Sequence, residues 1–249
     1  MSPAPPSAPI HGFQVGSEAS VPPGGISSAT PPAYHGAVTS TRDAFLQAAT
    51  SAEALLSEPA VVAAWDCASA LPEFSVAGLA GHLARQVLAV PRVLEQPAPG
   101  DQPVSLLGHY DRVSWIGADL DDEANVEIRH GGEGEAADGA AALAARTRDA
   151  VETLRTTLPA EPAGRLVRPS WVSWTLTLDD FLITRMMEIA VHSDDLAVSV
   201  GVATPPLPQA VLDPVLDLLT RLAVRRHGPT AVLRALSRSE RAPVTIAAF

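Results

Sequence analysis

Four stretches of this chain repeat apolar residues every three or four positions, and that period commits it to helices packed on one another. Phe45, Leu46, Ala49, Leu55 and Leu56 share one face over about 41–57. Leu79, Leu83 and Val87 do so over 76–94, and Leu143, Ala144, Val151, Leu154 and Leu158 over 139–158. The fourth stretch spans 177–200. Ser40, Ser75 and Thr177 stand where N-caps belong, with Asp43, Asp179 and Asp180 in first turns where the helix dipole favours acids. Gly201 is a C-terminal stop, and Pro205, Pro206 and Pro208 break the chain after it. Pro91 predicts a kink or an early end to the second helix. Two more helices are expected at about 209–226 and 230–236. The sum is an all-α four-helix bundle with a short helical C-terminal extension.

Composition agrees. Hydrophobic residues make up 47% of the 249 residues but aromatics only 4%, so the core is built from Ala, Leu and Val, which suits close helix packing. The net charge of −11 argues against nucleic acid or an anionic membrane as a partner. The chain has no Lys, which excludes Schiff-base chemistry, and Cys67 is its one cysteine, so no intramolecular disulfide can form. With no apolar run of membrane-spanning length and no signal-peptide pattern, a cytoplasmic location is expected.

Residues 1–36, rich in Pro, Ser and Gly, read as a disordered tail whose His11 and His35 take no part in a site. The bundle is expected over 37–203 and the extension over 204–249. Residues 97–136 hold little periodicity beyond a piece at 104–116. Val126-Glu127-Ile128-Arg129-His130 before Gly131-Gly132 reads as a short edge strand. The segment 165–177, with Trp171 and Trp174, reads as irregular or extended. His109, His130 and His227 read as surface or loop residues.

One constellation carries chemistry. Glu188 and His192 lie four residues apart on the fourth helix, hence on one face, and His82 sits on the second helix. Two imidazoles and a carboxylate form a three-ligand set that leaves a coordination position open, as in catalytic zinc sites; the same set also describes the facial triad of non-haem iron. The spacing has plainer readings too. Glu188 and His192 could be an i,i+4 ion pair, and His82 a hydrogen-bonded core histidine. Asp195, three residues after His192, is either the acceptor that orients that ring or a surface carboxylate beside Asp194. Arg185 either pairs with Glu188 or stays free for an anionic substrate.

The segments Leu79-Ala80-Gly81-His82-Leu83-Ala84 and Arg185-x-x-Glu188-x-x-Val191-His192-x-x-Asp195-Leu196-Ala197 resemble the N-terminal domain of mycothiol-dependent maleylpyruvate isomerases, a DinB-like metal-binding bundle. The resemblance covers about residues 38–203. It implies a divalent metal, zinc before others, on His82, Glu188 and His192, with Arg185 and Asp195 as catalytic residues. It also implies mycothiol as thiol cosubstrate, used for S-transfer to, or cis-trans isomerisation of, a small electrophile. A non-catalytic metal-binding or regulatory bundle is the alternative. Oligomerisation is compatible with either. The isomerases carry a further C-terminal domain that helps complete the active site, whereas only about 45 residues follow Pro206 here.

Overall fold

The computed structural model describes residues 39–249. The expected disordered tail, with His11 and His35, lies outside those residues. Among the described residues the chain is helical throughout, apart from one two-stranded ribbon. In chain order the helices are α1 (Thr41–Leu56), α2 (Pro59–Ala63), α3 (Val76–Leu94), α4 (Leu106–Tyr110), α5 (Glu123–Ala136), α6 (Ala140–Thr157), α7 (Leu178–Val200), α8 (Gln209–His227) and α9 (Pro229–Ser237).

The caps read from the sequence start three of the long helices. Ser40, Ser75 and Thr177 have extended backbones, and their hydroxyls accept from the amides of Asp43, Gly78 and Asp180. Gly201 ends α7 in the left-handed region at φ 71°, which a residue with a Cβ reaches only under strain. Pro91 does not end α3, which runs on to Leu94.

The four-helix frame consists of α1, α3, α6 and α7. Each of α6 and α7 packs on both α1 and α3, so α6 and α7 occupy opposite corners. Between them lie Phe45, Leu79, Leu83, Leu143, Leu154, Phe181, Leu182 and Met186, all fully buried. The C-terminal region adds α8, which lays Val211, Val215, Leu218 and Leu222 against α7 and α1, and α9, which packs on α8.

One expectation is overturned here. Residues 126–130 are not an edge strand; they lie within α5, which packs along α3 more extensively than any other pair of helices. Two glycines explain both the contact and the misreading. A Cβ on Gly81 would fall onto the carbonyl oxygen of Gly132, and one on Gly132 onto that of Gly78. The backbones therefore meet directly, one turn from His82. Glycines that weaken α5 as an isolated helix are what let it dock.

The segment 165–177, expected to be irregular or extended, forms a ribbon of β1 (Leu166–Val167) and β2 (Leu176–Thr177), paired antiparallel. Its loop carries Trp171 and Trp174 to the start of α7. The Val104 amide donates to the Thr175 carbonyl at 2.9 Å, which fixes this loop beside the segment that leads into α4.

The two glycines give a paired prediction. Gly132→Ala must push backbone from backbone and is expected to lower the unfolding free energy by ~2–4 kcal/mol in urea titrations. A Cβ on Gly131 meets only the end of the Arg85 side chain. Gly131→Ala is therefore expected to be neutral, or stabilising by up to ~1 kcal/mol through helix propensity. Equal effects from the two variants would contradict the packing account.

Candidate metal centre and its cavity

Helix α7 presents Glu188 and His192 one turn apart toward α3, and α3 presents His82 toward them. A nitrogen from each ring and a carboxylate oxygen lie within 4.8 Å of one another. Glu188 Oε2 is 3.2 Å from His192 Nε2 and 3.5 Å from His82 Nε2. The two rings stand edge to face, 4.6 Å between centroids. Behind His192, its Nδ1 lies 3.0 Å from Asp195 Oδ2, which fixes the ring's orientation.

His82 is held from the other side. Arg185 donates from Nη1 to Gln86 Oε1, and this turns the Gln86 amide nitrogen toward His82. That nitrogen donates to the His82 carbonyl oxygen at 2.8 Å and lies 3.3 Å from His82 Nε2. The network thus assigns a lone pair to His82 Nε2, aimed into the cluster. Its Nδ1 is buried without a hydrogen-bond partner among the described residues.

The charges follow from these contacts. Burial disfavours an ionised Glu188, but hydrogen bonds from His192 and His82 outweigh it and hold the carboxyl well below its ordinary range. Burial likewise disfavours a charged His192, yet Asp195 and Glu188 raise it to about 9. Burial lowers His82, with the Glu188 hydrogen bond pulling the other way. In the metal-free chain a single added proton, on His192, therefore balances the buried carboxylate. Two imidazole nitrogens and a carboxylate oxygen converging on that point, with a carboxylate behind one ring, make a donor set that suits zinc or a similar divalent ion.

A cavity of about 550 Å³ opens beside the cluster. Glu188 and Arg185 form its floor, residues 109–115 one wall and residues 170–174 the other. Arg185 is 8% exposed and forms no ion pair, with Glu188 or any other carboxylate, among the described residues. Its guanidinium donates to Thr184 and Gln86 and lies 5.5 Å from the Trp171 ring centroid and 5.3 Å from that of Phe181. A buried cation without a counter-charge faces this cavity.

The expectation that His109 lies at the surface is wrong. It is 4% exposed, packs against Tyr110 and Trp174, and lines the cavity. The short α4 that carries it shows no apolar period long enough to announce a helix. His130 lies within α5 and His227 closes α8, so neither is a loop residue. Gln86 was visible in the sequence only as a position on a helical face.

The fold and this cluster define a helical bundle with a two-histidine, one-carboxylate centre at the floor of a polar cavity. Residues 36–197 match the model of the mycothiol maleylpyruvate isomerase N-terminal domain, and the chain belongs to that family. Neither the curated proteins nor the solved structures contain a significant match. Among the described residues no helix is long and apolar enough to cross a membrane.

His109 yields a prediction about pH. Burial, with the nearby Arg185 charge adding to it and that of Glu188 opposing it, lowers its pKa to about 4 against an ordinary 6.5. Between those values the unfolded chain binds the proton and the folded one does not. Stability from this group is thus complete above about pH 6.5 and falls as pH drops toward 4, by at most ~1.4 kcal/mol per pH unit. His109→Gln is expected to flatten that part of a stability–pH curve measured by urea unfolding. A curve of unchanged slope would refute a neutral, buried His109.

Proposed function

We propose that this protein is a metal-dependent enzyme that activates a low-molecular-weight thiol of the mycothiol type and delivers it to a small electrophile, by S-transfer or by reversible addition that isomerises a double bond. The observation that carries this reading is the convergence of His82, Glu188 and His192 at the floor of a cavity large enough for a small molecule. A purely structural metal site would have a fourth protein ligand and no adjoining cavity.

His82, Glu188 and His192 would hold the ion, with zinc the best match to the donors. When bound, zinc supplies a Lewis acid that lowers a thiol's pKa, so that a thiolate exists near neutral pH. The remaining work falls to the chain's own groups. Asp195 accepts from His192 Nδ1, which keeps Nε2 turned toward the centre. Gln86, held by Arg185, fixes the ring plane of His82. Arg185 places a buried positive charge at the cavity floor, where it favours an anionic group on either reactant. The Trp171 and Trp174 loop narrows the cavity and limits water around the reacting atoms.

Elemental analysis of purified protein tests the metal, and a thiol-conjugation assay tests the reaction. Close to one zinc per chain is expected, lost in His82→Ala and His192→Ala. Asp195→Asn is expected to keep the ligands and weaken metal affinity ~10–100-fold in chelator competition. Glu188→Gln is expected to abolish thiol consumption. Full metal content in the histidine variants would reject the site. Metal binding without thiol turnover across several electrophiles would favour the non-catalytic bundle instead.

A further inference from the structure

The cavity wall opposite Glu188 holds two hydrogen-bond donors without acceptors. Trp174 Nε1 lies 3.0 Å from His109 Nδ1. An indole N–H can only donate, so His109 Nδ1 is the lone-pair nitrogen and the ring's hydrogen sits on Nε2. His109 Nε2 forms no hydrogen bond among the described residues. The next residue, Tyr110, has a buried hydroxyl that also lacks a partner among the described residues, and its side chain is 6% exposed. Both residues line the cavity together with Arg185 and Glu188. Left unmet, each buried donor costs the protein a desolvation penalty.

Neither group is suited to accept or remove a proton. Burial holds His109 neutral down to about pH 4. Burial, reinforced by the Glu188 charge, pushes the Tyr110 hydroxyl far up, so it stays protonated. Two neutral donors on adjacent residues, one with its tautomer set by Trp174, are matched by an oxygen that carries or gains negative charge.

We propose that His109 Nε2–H and Tyr110 O–H form a donor pair that receives the carbonyl oxygen of the ligand bound in this cavity. The pair polarises that carbonyl and binds it more tightly as charge builds on the oxygen. This rests on the reading of the cavity as the reaction site, and it identifies the electrophile as a conjugated carbonyl compound rather than an alkyl halide or epoxide. Trp174 acts as a positioning residue, through the His109 tautomer.

The test is binding of 2-cyclohexenone to the full-length protein as purified, followed by the ligand's infrared carbonyl stretch and by the nitrogen resonances of His109. The carbonyl band is expected to move to lower frequency on binding, and the His109 Nε2–H proton to move downfield. His109→Phe and Tyr110→Phe are each expected to weaken binding ~5-fold, the worth of one neutral hydrogen bond, and to remove part of the band shift. His109→Gln keeps a donor and is expected to restore some of it. Trp174→Phe is expected to release the Nδ1–H tautomer and shrink the shift while His109 stays in place. Tyr110→Phe removes a single oxygen and keeps the test decisive should His109→Phe fail to fold. No binding, an unshifted band in the unaltered protein, or the same shift in both Phe variants would overturn the pair. The measurement needs neither thiol nor turnover, so failure of the thiol-transfer reading would appear separately, in metal content and thiol consumption.

Discussion

A carboxylate removed from water must be compensated, and in this bundle the compensation of Glu188 organises what surrounds it. Glu188 projects from α7 into the seam with α3, where an unpartnered charge would be expelled or protonated. His192 meets it from one turn along the same helix, and His82 from across the seam. Each imidazole is fixed in turn, His192 by Asp195 and His82 by Gln86. The centre therefore depends on the distance between α3 and α7, and the position of α3 depends on what packs behind it. There, Gly81 and Gly132 let α5 lie directly on the α3 backbone. A Cβ at that contact would shift α3 beside His82.

The cavity joins unlike groups across a short distance. Its floor carries the carboxylate cluster and the buried guanidinium of Arg185; its wall carries neutral donors that lack acceptors. A ligand that bridges floor and wall would satisfy both, with its reacting carbon near the centre and an oxygen at the wall. The wall is braced from the C-terminal region. Arg225 of α8 donates to the Leu107 carbonyl at 2.8 Å and pairs with Asp111 at 2.7 Å, and Phe249 packs edge-on against Trp115 at 5.0 Å. The residues after the bundle thus reach the segment that forms the cavity.

Much of the bundle was legible because long amphipathic helices advertise themselves. The period of Leu79, Leu83 and Val87, the Ser75 and Thr177 caps and the Gly201 stop are local properties of consecutive residues, and the helix ends fall within a residue or two of their expected places. The short elements were not legible. A five-residue helix such as α4 is too brief to show a period, and α5 has glycines where a free helix would have alanine. Its Val126–His130 stretch looks strand-like only while α3 is out of view. The same blindness hid His109, whose burial comes from Trp174, sixty-five residues away.

The sequence by itself determined the helical frame, the four-residue stacking of Glu188 and His192, and the reach of Asp195 to the same ring, because each follows from the geometry of one helix turn. It also excluded disulfides and lysine chemistry by composition alone. Only the tertiary structure decided that His82 meets that pair, that Arg185 hydrogen-bonds Gln86 and forms no ion pair with Glu188, and that His109 and Tyr110 turn unpartnered donors toward the same cavity. Those outcomes depend on how closely α3, α5 and α7 approach and on where the ribbon loop with Trp174 folds back. Contacts between residues far apart in the chain are set by packing, and packing leaves no period in the sequence.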